Sequence, residues 1–262
     1  MKILIVIPAR LKSSRLPGKP LKKIQGREMI LRVLDACKIL QSKDIKIVVA
    51  TDHKKIFNIV KFFGFRVLMT SKKCATGTDR VGEVAKKNKA DIYINVQGDE
   101  PLINSNDIKK IIDAKKKFQN HIICGYSNLR DDERLANNHI PKVVLNEKSE
   151  LLYISRSPIP GSKEKKNKNH KFLKQVCIYG FNRNELDLFC KFKKKTYLER
   201  YEDIEILRYL EIGKKIKMVK LNSRSYAVDT YDDLKKIERI FKKLKKKMIY
   251  LIKDYKFFFK IE

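Results

Sequence analysis

Residues 3–21 read Ile-Leu-Ile-Val-Ile-Pro-Ala-Arg-Leu-Lys-Ser-Ser-Arg-Leu-Pro-Gly-Lys-Pro-Leu. The apolar run 3–7 has the length and branching of a strand buried on both faces. It runs into a turn-rich loop that carries Arg10, Lys12, Arg15 and Lys19, the hydroxyls of Ser13 and Ser14, and the Pro17-Gly18 turn. Cations and backbone N–H groups at the carboxyl end of a strand make a cradle for a polyphosphate. Nucleotide chemistry is therefore the first expectation.

Outward from that strand, strand and helix patterns alternate, which predicts a largely parallel sheet with helices on both faces. Strands are expected at 45–50, 66–69 and 92–96. Helices are expected at 29–40, at 53–63 with Gly64 closing it, at 78–87 and at 106–118. The second half is less regular. Paired strands are expected at 142–145 and 151–154, a solvated loop at 161–171, a strand at 176–181, a helix at 202–210, a strand at 217–221 and a helix at 231–244. The stretch 245–262 reads as a basic, aromatic tail that packs, meets a partner or frays. The expected organisation is one domain, 1–244, followed by that tail.

Composition narrows the class. The chain has 262 residues, 43% of them hydrophobic, enough for a sizeable core. No apolar run approaches the roughly 18 residues of a membrane span, and the five apolar residues after Lys2 are too few for a secretory leader. Five scattered cysteines without CxxC spacing suggest a reduced, cytoplasmic protein without structural zinc. The formal charge is +31. A nucleic-acid or anionic-membrane partner is one reading of it. Lysines spread over solvated faces is the favoured one, because they occur nearly everywhere along the chain. Either way the charge steers anionic substrates inward.

The residues able to carry chemistry are few. A magnesium–triphosphate site needs cations for the developing charge and carboxylates for the metal. Arg10 and Lys19 supply the first. Asp99, after the strand 92–96, supplies the second, or is simply a turn residue before Pro101. Asp229, in Tyr-Ala-Val-Asp-Thr-Tyr-Asp-Asp, is either a second carboxylate or a helix N-cap. Thr230 with Asp233 can do that capping instead and leave Asp229 free. Thr76-Gly77-Thr78-Asp79-Arg80 opens a helix and suits either recognition of a base or ribose or plain capping. No Ser/His/Asp set, zinc spacing or Walker A pattern stands out, which fits direct displacement at phosphorus.

Together these segments resemble the sugar nucleotidyltransferases that make CMP-activated acidic sugars, and among them the 3-deoxy-manno-octulosonate (Kdo) cytidylyltransferases. The resemblance rests on Ile7-Pro8-Ala9-Arg10, Ser13 to Leu21, Val49-Ala50-Thr51-Asp52, Thr76 to Arg80 and Val96-Gln97-Gly98-Asp99-Glu100-Pro101. It continues through Ser155-Arg156, Ile159-Pro160, Ile178-Tyr179-Gly180, Leu198-Glu199, Glu202, Glu205, Leu207-Arg208 and Val228-Asp229-Thr230, in the family's order. It implies a Rossmann-like three-layer α/β/α nucleotidyltransferase fold with a small β-rich dimerisation element at about 125–200.

The resemblance also implies a reaction. CMP passes from CTP to the anomeric hydroxyl of Kdo, giving CMP-Kdo and pyrophosphate for lipopolysaccharide synthesis. CTP is expected against Ala9, Arg10, Ser13, Ser14, Lys19, Thr76, Gly77, Arg80 and Gln97. Arg10, Lys19 and Asp99 are expected to be catalytic, Asp99 and Asp229 to hold Mg²⁺, and Arg156, Gln175, Tyr179, Glu205 and Ile206 to line the sugar pocket. A homodimer is implied, with no cofactor beyond Mg²⁺ and no nucleic acid or membrane span. Three positions depart from the family pattern, which carries His at 175, Gln at 206 and usually Ser at 76. The first two raise a modified Kdo or another ulosonic acid, sialic-type sugars included, as the alternative acceptor.

Overall fold

The structure, a computed structural model, describes residues 1–161, 163, 171–222 and 226–258, the last 14 of these by backbone alone. The first half follows the alternation closely. Strand β1 (Ile3–Ala9) leads through a short 3-10 turn (Lys19–Leu21) and a small hairpin, β2 (Lys23–Ile24) and β3 (Arg27–Glu28), into helix α1 (Met29–Lys38). Then come β4 (Ile45–Thr51), α2 (Lys54–Phe62), β5 (Val67–Met69), α3 (Gly77–Lys87), β6 (Ile92–Val96) and α4 (Ser105–Lys117). The second half comprises β7 (Ile122–Asn128), β8 (Lys142–Leu145), β9 (Leu151–Ser155), β10 (Leu173–Phe181), α5 (Arg183–Cys190), α6 (Tyr197–Glu202), α7 (Leu207–Glu211), β11 (Ile216–Lys220) and α8 (Tyr231–Phe258).

The main sheet has the order β11-β7-β10-β6-β1-β4-β5, with β8 and β9 attached through β10. Along that path only β10 runs against its neighbours, pairing antiparallel with β6 and β7. Pleating sends alternate residues of β1 to opposite faces. Ile3, Ile5 and Ile7 join one core cluster with Val33 and Leu34 of α1 and Ile108 and Ile111 of α4. Leu4 and Val6 join another with Val81 and Val84 of α3, Leu186 and Phe189 of α5 and Leu207 of α7. Helices therefore cover both faces, and the sheet is mostly parallel, as the alternation implied.

Three expectations need correction. The helix at 202–210 is two short helices, α6 and α7, because Asp203 takes a left-handed conformation at φ 50° and ends the first. Strand β7 was not expected; its sequence, Ile-Ile-Cys-Gly-Tyr-Ser-Asn, mixes a glycine and polar residues into the apolar pattern. Helix α5 was not expected either, although Asn182 and Glu185 form a capping box that announces it. The loop expected at 161–171 lies mostly outside the described residues. Within the tail, the backbone of α8 carries on to Phe258, and 259–262 lie outside the described residues.

Candidate active site

The loops after β1 and β6 meet because those strands are parallel neighbours, Ile5 opposite Ile94. Their contact is close. A Cβ on Gly98 would come within 2.9 Å of the Pro8 carbonyl oxygen and 3.2 Å of Ile30 Cδ1. Only a residue without a side chain lets the two loops approach so far. Gly18, at φ 69°, turns the first loop into the 3-10 turn that presents Lys19.

A third segment arrives from the far end of the chain. The Val228 N–H donates to the Asp99 carbonyl at 2.9 Å, and Val228 packs with Leu16, Ile24, Met29 and Ile237 beneath α8. Thr230 and Asp233 cap that helix: Thr230 N–H donates to Asp233 Oδ2 at 2.9 Å, and Asp233 N–H to Thr230 Oγ1 at 3.2 Å. Asp229 is therefore not needed as the cap, and its carboxylate is available to the neighbouring cations. Lys19 Nζ donates to Asp99 Oδ2 at 2.6 Å and to Asp229 Oδ1 at 3.0 Å. Arg15 reaches Asp229 Oδ2 at 3.2 Å and also donates to His139 Nδ1 at 2.7 Å.

Burial by itself would lower the Lys19 pKa, but the carboxylates of Asp99 and Asp229 outweigh it and raise it. Burial would likewise raise Asp229; Lys19, with Arg15 behind it, pulls it below the usual carboxylate range. The point between the two carboxylates already holds a positive charge, so a hard divalent cation fits there. Among the described residues no third His, Cys, Asp or Glu joins them as a ligand cluster. Phosphate oxygens and water would have to complete an octahedron. Arg10 is exposed and forms no hydrogen bond or ion pair among the described residues. Ser13 Oγ accepts from the Leu16 N–H at 3.3 Å, Ser14 is exposed and Ala9 is buried at the end of β1.

Across the same edge lies a second set, held differently. Thr76 and Asp79 cap α3 reciprocally, at 2.9 and 3.1 Å. Glu205, in the turn between α6 and α7, accepts from the Thr78 N–H at 2.9 Å and from Gln97 Nε2 at 2.8 Å. Burial pushes its carboxyl up to about 6, against the stabilising Thr78 N–H. Gly77 lies so near Gln97 that a Cβ would sit 2.8 Å from its Nε2. On β10, Gln175 Nε2 donates to the buried Tyr179 hydroxyl at 3.1 Å. Ile206 is 1% exposed and belongs to the core cluster on that face.

Two cations expected to face ligand have their donors engaged within the protein. Arg80 is buried, with its guanidinium on Asp52 at 3.1 Å and on Thr70. Arg156 donates to the backbone carbonyls of Asn138 at 2.9 Å and Asp203 at 3.0 Å and to that of Glu202. Two further basic residues organise this wall. Arg208 is fully buried, bidentate on Glu199 at 2.7 Å and bonded to Asp79 Oδ1 at 3.0 Å. It thus locks α7, and with it Glu205, onto the start of α3. Lys142, also fully buried, donates to the carbonyls of Asn137 at 3.1 Å and Ile140 at 2.9 Å, and to that of Arg156. It fixes the loop that brings His139 to Arg15. Arg208 belongs to the segments that carry the resemblance but had no role assigned from sequence; Lys142 is revealed by burial alone.

Cations from the loop after β1 meet Asp99 from the loop after β6 and Asp229 from the segment before α8 at this edge, a charge pattern suited to a polyphosphate. A Rossmann-like sheet built for that defines the nucleotidyltransferase class. The comparisons agree. The cytidylyltransferase family matches residues 4–216. A 3-deoxy-manno-octulosonate cytidylyltransferase of Fusobacterium nucleatum is 38% identical over 239 residues, covering 90% of this chain and 96% of that protein. The mitochondrial protein of that name from Arabidopsis thaliana is 35% identical over 243 residues, 91% of this chain and 83% of its own length. A solved CMP:2-keto-3-deoxy-manno-octonic acid synthetase, complexed with CTP, superposes with a TM-score of 0.83 at 35% identity, covering 93% of this chain and 99% of that one. The chain belongs to the 3-deoxy-manno-octulosonate cytidylyltransferase family.

Proposed function

We propose that this enzyme transfers CMP from CTP to the anomeric C2 hydroxyl of Kdo, for lipopolysaccharide synthesis. The hydroxyl oxygen bonds to the α-phosphorus, the bond from that phosphorus to the pyrophosphate oxygen breaks, and the hydroxyl proton leaves. The observation that carries this reading is that Asp99 and Asp229, 130 residues apart in sequence, share the Lys19 ammonium. Asp99 and Asp229 would hold Mg²⁺, which when bound would neutralise phosphate charge and orient the triphosphate. Lys19 and the unengaged Arg10 grip phosphate oxygens, with Ser13, Ser14 and the Ala9 end of β1 around them. Thr76, Gly77 and Gln97 form the floor beneath the nucleotide. Arg80 keeps that floor in place through Asp52. Glu205 and the amide oxygen of Gln175, whose nitrogen is held by the Tyr179 hydroxyl, offer acceptors to sugar hydroxyls. Arg156 shapes the rim beside them.

Pyrophosphate release from CTP and Kdo tests this directly. Release is expected only with both substrates and Mg²⁺ present, and to vanish on adding a chelator. No release with Kdo under those conditions overturns the proposal. The second reading, a modified Kdo or other ulosonic acid as acceptor, draws on Gln175, whose amide is committed to Tyr179, and on Ile206, which offers no hydrogen bond. An acceptor panel separates the two: turnover of Kdo as good as any analogue ends the second reading.

We also propose a homodimer formed through residues of about 125–200. Leu152 and the adjoining rings of Tyr197 and Tyr201, all largely exposed, support it. Sedimentation at a monomer's mass would remove that element. A cytoplasmic location is supported by five free cysteines, and no helix among the described residues is long and apolar enough to cross a membrane.

A further inference from the structure

Helix α8 outruns the domain it serves. Its first turns lay Leu234, Ile237, Ile240 and Phe241 on the cluster that seats Leu16 and Val228, and Ile237 is fully buried there. At Leu244 the cover gives out, and that side chain is 49% exposed. The helical backbone nevertheless continues to Phe258, a further ~21 Å at 1.5 Å per residue. In the sequence the apolar positions do not stop where the cover stops. Leu244, Met248, Leu251, Ile252, Tyr255 and Phe258 carry on the three-and-four spacing of Leu234, Ile237 and Phe241. Around that stripe, residues 242–258 contain seven lysines and a single acid, Asp254.

A solved relative is covered over 99% of its length and this chain over 93%. The 28-residue helix runs well past the turns that follow Asp229 and cover Leu16.

We propose that the distal half of α8 lies in the plane of an anionic lipid surface and docks the enzyme there. A helix with a continuous apolar stripe, a lysine-rich remainder that also carries Ile249, Tyr250 and Phe257, and several aromatic residues has the make-up of an interfacial helix. Lysines at 245–247, 253 and 256 exclude a crossing segment and favour anionic headgroups. A second copy of the chain is the weaker occupant, because it brings the same positive charge to the same face. A nucleic acid would use the lysines and leave the stripe without purpose. Docking of this kind is independent of which sugar the active site takes.

The test is co-sedimentation of the full chain with phosphatidylcholine vesicles, with and without 30% phosphatidylglycerol, at ~100 and ~500 mM salt. Binding is expected only with the anionic lipid and is weakened by salt. Leu251→Asp with Ile252→Asp should abolish it. Lys245→Glu, Lys246→Glu and Lys247→Glu together should weaken it about a hundredfold or more, at roughly fivefold per lysine removed. Both full-length variants should keep their pyrophosphate release in solution, which shows that they are folded. Equal binding to neutral vesicles overturns the proposal, as does none to either kind. Self-association that Leu251→Asp dissolves, without vesicle binding, assigns the stripe to a second copy instead. DNA binding that needs the lysines but tolerates the apolar substitutions, again without vesicle binding, assigns the tail to nucleic acid.

Discussion

The two sides of the catalytic edge are held together by different forces. On the side proposed to take phosphate, Lys19, Asp99, Asp229 and Arg15 are partly open to solvent and pair with one another across three distant segments. On the acceptor side, Arg208, Glu199 and Tyr179 are buried, and Glu205 is set in place by their packing and by the start of α3. The first arrangement is a set of charges waiting to be rearranged by a ligand. The second is a rigid wall whose geometry is decided before any ligand arrives. Substitutions should therefore cost function on one side and folding on the other.

The sharpest test is Arg208→Met, which strands Glu199 without its partner in a dry core. Denaturant unfolding should show a loss of roughly 3–5 kcal/mol, with turnover falling only as the folded fraction falls. Asp99→Ala should do the opposite. Pyrophosphate release should fall about 10²- to 10³-fold while the thermal midpoint stays near that of the parent. If Asp99→Ala unfolds the protein, the division between the two sides fails.

Glu205 sharpens the comparison through pH. Its carboxyl titrates at about 6 in the folded state against a reference of 4.5. The folded protein therefore holds the proton more tightly than the unfolded chain does. That contribution to stability is complete below pH 4.5 and is lost as pH rises through 6. Glu205→Gln should flatten the stability profile across that window, read from thermal midpoints at intervals of pH. A slope unchanged in the variant would place the titration elsewhere. The smallest effect is expected at Gln175, whose amide supports the Tyr179 hydroxyl. Gln175→Leu should raise KM for the sugar about tenfold and leave KM for CTP alone. A rise in both would mean that the wall is shared between the two substrates.

Much of this was legible in the sequence. The run 3–7 and the alternation up to residue 118 encode their own elements, because parallel strands buried on both faces need nearly unbroken apolar runs. Lys19, Asp99 and Asp229 were legible as candidates because Lys19 follows the Pro17-Gly18 turn, Asp99 follows the strand 92–96 and Asp229 stands just before a helix that Thr230 and Asp233 can cap. The Thr230–Asp233 capping box was visible too. Less legible was the second half. Strand β7 hides a glycine that lets Leu221 and Val176 approach, a Cβ at Gly125 falling 2.5 Å from Leu221 Cδ1. The break at Asp203 depends on a left-handed residue whose neighbouring carbonyls are taken by Arg156, 46 and 47 positions away. Arg80 and Arg156 read as free cations, because nothing local announces that Asp52 and distant carbonyls occupy them.

The sequence by itself determined the strands and helices of the first half and most of those in the second, and which side chains have the chemistry of a nucleotidyl transfer site. Periodicity and capping act over a few residues, so they are written locally. Tertiary structure alone decided that β10 lies antiparallel between β6 and β7 and that Arg208 closes a buried lock. It alone decided that Asp99 and Asp229 meet at one ammonium. Those outcomes depend on how far apart charges lie after the core has packed, and distances in space are not carried by neighbours along the chain.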